Sequence, residues 1–142
     1  MKFSKQMSES IKLGVILAIA GGFMDAYSYI GRGEVFANAQ TGNMLLLGVH
    51  LSEGNITAAI RYLCPVLAFT FGIALADIVR NSGIVSHLHW RQISVVADAI
   101  ILTIVSCLPQ SHNRLANSLT SLACGIQVES FRKIHGNGIA TT

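Results

Sequence analysis

The feature that most constrains this chain is a set of stretches with no charged side chain: 13–24, 35–51, 62–76, 99–113 and 115–128. A helix needs about 20 mostly apolar residues to cross a bilayer. Each stretch comes near that length only if a charge or a few polar groups are admitted at one end. The whole sequence is 51% hydrophobic and 12% charged, whereas a soluble domain is roughly 25% charged. Mean hydropathy is +0.54 with 7% aromatics, so the apolarity comes from aliphatic residues and Ala. The 13 glycines agree, because Gly is commoner in membrane helices than in soluble ones. The predicted fold is therefore all-α: a polytopic transmembrane helical bundle, a single membrane domain over 1–142, with hydrophobic segments at 11–30, 35–52, 61–78, 93–108 and 115–128. A soluble all-helical bundle is the competing fold, and a secretory signal peptide ending near Ala18-Ile19-Ala20 is the competing reading of the first segment.

The second segment differs from the others. Asn38, Gln40, Thr41 and Asn43 surround Gly42 before the apolar Met44-Leu45-Leu46-Leu47 begins, a pattern expected of a half-helix entered through a polar, broken loop. The positive residues bear on this. If five segments all span, Lys2, Lys5, Lys12, Arg61 and Arg114 share one side and Arg32, Arg80, Arg91, Arg132 and Lys133 the other, an even split that selects no orientation. If the second segment re-enters, only Arg32, Arg61 and Arg114 lie opposite the other seven. That distribution obeys the positive-inside tendency, so re-entry is the expected topology.

Net charge is +3, but the basic residues stand singly, without the stripe that nucleic acid requires. Cys64, Cys107 and Cys124 sit in apolar runs and behave as small hydrophobes. His87 and His89 are two apart, a spacing that points them to opposite sides of a strand or helix, so no metal is expected; with Trp90 they read as an interfacial loop. No nucleophile elbow, phosphate loop or zincin pattern occurs, hence neither an enzyme nor a cofactor is expected.

The candidate functional residues are polar groups inside apolar segments. Asp25 and Asp98 are carboxylates within apolar segments, where an ionisable group by default marks a pathway or a pairing site; the competing reading of each is a carboxylate near the interface that reaches water. Asp77 and Arg80 read instead as a boundary ion pair. On the first segment Gly14, Ala18, Gly22 and Ala26 form a small-residue face beside Asp25, and Ala68, Gly72 and Ala76 form another on the third; both suggest close helix packing.

The blocks Gly21-Gly22-Phe23-Met24-Asp25-Ala26-Tyr27 and Phe36-Ala37-Asn38-Ala39-Gln40-Thr41-Gly42-Asn43, followed by Cys124-Gly125-Ile126-Gln127, Phe131-Arg132-Lys133 and Ala140-Thr141-Thr142, resemble the bacterial DUF1275, or YoaK-like, family of membrane proteins. The resemblance covers essentially the whole chain and implies a multi-pass protein of the bacterial plasma (inner) membrane, of largely unassigned function. It also implies a longer, duplicated architecture. A shift of 103 places Gly125 over Gly22, Gly136 over Gly33 and Ala140 over Ala37, so the chain is expected to hold one copy and part of a second.

Three functions follow as expectations. In the first, a small-solute or ion permease, the substrate site comprises Asp25, Asn38, Gln40, Thr41, Gly42, Asn43 and Asp98, with a helix starting near Gly42 offering its N–H groups to an anion and Asp25 as the proton or cation partner. In the second, the polar segment is interhelical glue in a non-transporting scaffold or homo-oligomer, or the chain is an inactive truncated product. The third is a membrane-embedded hydrolase, which needs Asp25 and Asp98 to come together. The expected partners are the lipid bilayer and a small solute or ion.

Overall fold

The computed structural model describes residues 11–82, 90–134 and 137–138. The histidine loop at His87 and His89, Lys2, Lys5, Gly136 and the terminal Ala140-Thr141-Thr142 lie outside the described residues. Five helices follow in order: α1 (Ile11–Gly31), α2 (Gln40–Ser52), α3 (Ile56–Asn81), α4 (Trp90–Ser106) and α5 (Asn113–Phe131), with a 3-10 turn at Gln110–His112 before α5. A minimal antiparallel pair, β1 (Lys133–Ile134) with β2 (Asn137–Gly138), follows α5.

Local chemistry sets the boundaries. Beyond α1 the chain reverses through Gly33 (φ 92°) and Glu34 (φ 61°), left-handed positions that end a helix. Residues 35–39 are not helical, so the segment read as 35–52 is a polar loop followed by a helix that starts at Gln40, two residues earlier than Gly42. Between α2 and α3 the turn uses Gly54 (φ 72°), and Asn55 caps α3 by accepting from the Ala58 N–H at 3.1 Å. His50 stacks on Tyr62 at 5.5 Å and ties this hairpin together. Helix α3 runs through a buried Pro65, which membrane helices tolerate when neighbours re-satisfy the freed backbone. Helix α4 ends at Ser106, three residues before Pro109.

Helix α5 is the centre of the bundle. It packs chiefly against α3 and α4, while α2 packs on α3 and α1 touches α5 more lightly. The α3–α5 crossing is backbone on backbone: a Cβ added at Gly72 would strike the Leu122 carbonyl and lie 3.2 Å from the Ile126 nitrogen, and one added at Gly125 would strike the Phe69 carbonyl. The small-residue face of α3 therefore packs as expected. That of α1 does not: Ala18, Gly22 and Ala26 are exposed and nothing lies within 4 Å of a Cβ at Gly22. Helix α1 instead buries Leu17, Gly21, Met24 and Ser28, a stripe at helical spacing. That stripe mixes two large side chains, Leu17 and Met24, with the small Gly21 and Ser28, so small residues do pack inward on α1, but on a neighbouring face.

The directions of the helices decide the path of the second segment. Arg80 near the end of α3 pairs with Glu129 near the end of α5, so α3 and α5 are parallel. Arg32 just after α1 meets Val105, Leu108 and Pro109, and a cleft lined by Arg32, Arg61 and Arg114 joins the end of α1 to the starts of α3 and α5. Helix α1 thus runs opposite to α3. From Arg32 the chain descends to Asn38 and Ala39, which bond to Asp25, roughly 9 Å below the top of α1 at 1.5 Å per residue. Helix α2 then climbs back to the end it came from. Its 13 residues make about 20 Å, short of the roughly 30 Å of a bilayer core.

Polarity is inverted relative to a water-soluble bundle. Phe23 (72% exposed), Ile30 (86%), Leu67 (59%) and Phe71 (62%) face outward, and Ile56, Ile60, Leu63, Leu67, Phe71 and Ile78 extend this surface along α3. Inside lie Asn117, Thr120, Ser121, Gln127, Glu129 and Ser130 of α5. Water would penalise such an exterior; hydrocarbon does not.

Candidate functional site

The polar loop is built around a helix that lacks its own cap. Ala39 occupies the N-cap of α2 and has no side chain to accept a hydrogen bond. Asp25, from the middle of α1, supplies it: Oδ1 accepts from the Asn38 N–H at 2.6 Å, and both carboxylate oxygens accept from the Ala39 N–H at 3.2 Å. The negative charge also faces the positive end of the α2 dipole. The carboxylate thus holds the two N–H groups immediately ahead of the helix, while the Gln40 and Gly42 N–H groups turn back to the Asn38 and Ala39 carbonyls at 2.8 and 3.0 Å.

The neighbouring amides are turned inward in the same way. Asn43 is fully buried, and its side chain imitates a strand, accepting from the Phe36 N–H at 3.0 Å and donating to the Phe36 carbonyl at 2.7 Å. A further donation reaches Gln40 Oε1 at 2.9 Å, and Gln40 Nε2 donates to the Ala37 carbonyl at 2.8 Å. Gly42 lies under the Phe36 ring, 2.9 Å from where its Cβ would be, and that ring stacks on Tyr29 at 4.8 Å. Asn38 is buried beside Asp25, whereas Thr41 is exposed on the outer side of α2. Of the seven residues proposed from sequence, Asp25, Asn38, Gln40 and Asn43 form one hydrogen-bonded knot, Gly42 is its packing surface, and Thr41 points away.

Asp98 stands apart from that knot. It lies on the inner face of α4 with Ser94 and Val105, 8% exposed, and its Oδ1 has no hydrogen-bond partner among the described residues. One turn away, Ser130 donates to Ser94 across α4 and α5 at 2.7 Å. The Cys124 thiol of α5 rests against Met24 of α1 at 3.7 Å. Asp25 is engaged by main-chain N–H groups and makes no hydrogen bond with Asp98 among the described residues.

Arg32 is the residue sequence reasoning missed, having entered only the comparison of positive charge on the two sides. It is 5% exposed. Its guanidinium donates to the Tyr27 hydroxyl (2.8 Å), the Val105, Leu108 and Pro109 carbonyls (3.3, 2.9 and 3.2 Å) and Asn113 Oδ1 (3.3 Å). Its own carbonyl accepts from Asn117 Nδ2 at 2.9 Å. A cation on the carbonyls at the end of α4 is the favourable polarity for a helix C-terminus. The one clue in the sequence was a lone Arg directly before a Gly beyond a long apolar helix. At the opposite end, Arg80 joins Asp77 and Glu129, Arg132 lies 3.7 Å from Glu129, and Arg80 and Arg91 flank Trp90.

An apolar exterior around a polar interior, with a helix capped from within by a distant carboxylate, defines a helical membrane protein. The family model described as "Protein of unknown function (DUF1275)" matches residues 13–142, and the chain belongs to that family. It is similar to the UPF0700 transmembrane protein YoaK of Bacillus subtilis (strain 168), with 25% identity over 89% of this chain. The match spans 59% of that relative's length. No solved structure matches the chain.

Proposed function

We propose that this is a non-enzymatic, multi-pass protein of the bacterial inner membrane that acts as an ion-coupled permease for a small solute, with Asp98 as the residue that binds the coupling proton or cation. The observation that carries this reading is the Asp98 oxygen, buried without a partner among the described residues. An unpaired charge inside a bilayer costs several kcal/mol, so the carboxylate calls for a proton or a cation, and a group that alternates between the two states is what coupling needs. In this reading Asp25 does not bind substrate; it fixes the tip of the re-entrant segment through Asn38 and Ala39. Helices α1, α3, α4 and α5 span, α2 re-enters, and Arg80, Arg91 and Arg132 face the cytoplasm.

The test uses liposomes reconstituted with the purified chain and loaded with a pH-sensitive dye. Under an imposed potassium diffusion potential, proton or sodium entry should exceed that of empty liposomes. The Asp98→Asn variant should lose at least about tenfold in rate while keeping its melting temperature. Flux unchanged by Asp98→Asn, or none at all from well-folded protein, rejects the permease. A scaffold is then the better reading, and it has its own support: the amides of Gln40 and Asn43 are already engaged within the loop.

A further inference from the structure

At the end of the bundle where α3 and α5 begin, a cleft of about 600 Å³ opens between Arg32, Arg61, His112, Arg114 and Asn117. That is the size of a small-molecule site. Its charge is unusual in sign and in lack of compensation. Three arginines from three separate stretches of chain line it, and no carboxylate does. Helix α5 begins there with no side-chain cap and no acidic residue in its first turn, so the positive end of its dipole adds to the same field. Arg114 lies within that first turn, where a cation is disfavoured unless something negative sits between. Arg32 is held by carbonyls and Tyr27, so it contributes a fixed charge rather than free donors. Arg61 and Arg114 are exposed and have no hydrogen bond or ion pair with any described residue, and their guanidinium forks suit oxyanion geometry. On the floor, Asn117 donates to the Arg32 carbonyl and retains an Oδ1 with no partner among the described residues, which suits an oxyanion that keeps one hydroxyl proton.

We propose that this cleft binds a phosphate group, with Arg61 and Arg114 as its direct donors and Arg32 as the fixed charge behind them. Two sources share that chemistry, a lipid headgroup and a free phosphate. The site lies at the opposite end of α5 from the Arg80–Glu129 pair and does not involve Asp98, so it stands or falls separately from the permease reading.

Isothermal titration of the purified full chain in detergent tests it, using inorganic phosphate, dihexanoyl phosphatidic acid and, for comparison, zwitterionic dihexanoyl phosphatidylcholine. Saturable binding of inorganic phosphate and of the phosphatidic acid at one competing site is expected, with phosphatidylcholine inert. Binding of the phosphatidic acid alone assigns the site to a headgroup; binding of inorganic phosphate alone assigns it to a free anion. The double substitution Arg61→Gln and Arg114→Gln should weaken binding at least about tenfold, the equivalent of one charge-assisted hydrogen bond. Arg61→Lys with Arg114→Lys should retain part of it, which separates lost charge from lost folding, and Arg132→Gln at the other end should have no effect. No binding by any phosphate probe, or equal binding by the double variant, overturns the proposal. An equal loss with Arg132→Gln does the same, since it reduces the effect to net charge.

Discussion

Arg32 and Asp25 do related work at the two ends of short, incomplete helices. One places a cation on carbonyls at and just beyond the end of α4, the other an anion on the Asn38 and Ala39 N–H groups immediately ahead of α2. Both are worth more away from water, where an unmade hydrogen bond has no solvent substitute. Replacing Arg32 by Met removes all five donations at once and leaves carbonyls exposed to hydrocarbon or to one another. A loss of about 3 kcal/mol is expected, since a hydrogen bond to a charged group contributes roughly 1.5–3 kcal/mol; it is read as a lower melting temperature in detergent. Asp25→Ala should cost about 1–2 kcal/mol, within the range for a lost cap, and Asp25→Asn less, because an amide oxygen can still accept. If Asp25→Asn melts as low as Asp25→Ala, charge at the α2 terminus matters more than the hydrogen bonds do.

At the scale of elements, the crossing of α3 and α5 is the contact with least slack. The obstacles to a Cβ at Gly72 or Gly125 are main-chain atoms of the facing helix, which cannot turn aside as a side-chain tip can. Gly72→Ala and Gly125→Ala should each destabilise by about 1–3 kcal/mol, the usual cost of overpacking. Gly48→Ala is the internal comparison: it sits in α2 with nothing within 4 Å of the new methyl, and should be neutral or slightly stabilising because Ala is the better helix former. Thermal unfolding of the three variants side by side checks the ordering. Equal melting of Gly125→Ala and Gly48→Ala would show that the helices do not touch there.

At the scale of the whole molecule, the path of α2 separates the basic residues into two groups at opposite ends. Arg32, Arg61 and Arg114 line one cleft, and Arg80, Arg91 and Arg132 gather about Glu129 and Trp90 at the other. Re-entry therefore predicts that Glu34 and Glu53 lie on one side of the membrane and Ser82 on the other. In a background with Cys64, Cys107 and Cys124 replaced, Glu34→Cys and Glu53→Cys should react together with an impermeant maleimide applied to intact cells, and Ser82→Cys only after lysis. Were Glu34→Cys to pair with Ser82→Cys instead, α2 would have to span.

Helical character and the choice of solvent were legible in the sequence because they depend on local composition: apolar runs of near-helix length with few charges admit little else. The interrupted second segment was legible for the same reason, since Asn38, Gln40, Gly42 and Asn43 interrupt a run that is apolar on both sides. What those residues are for was not. Asp25 meets Asn38 across 13 positions and Arg32 meets Pro109 across 77, and no periodicity in one helix reports which distant backbone group lacks a partner. The face of α1 was misread on similar grounds, because small residues at four-residue spacing are permissive of close packing without requiring it. Composition determined that this chain belongs in hydrocarbon as a bundle of helices. Tertiary structure alone decided which polar groups satisfy one another and which, like the Asp98 Oδ1, have no partner among the described residues, because hydrogen bonding in a dry interior is settled by three-dimensional proximity and not by order along the chain.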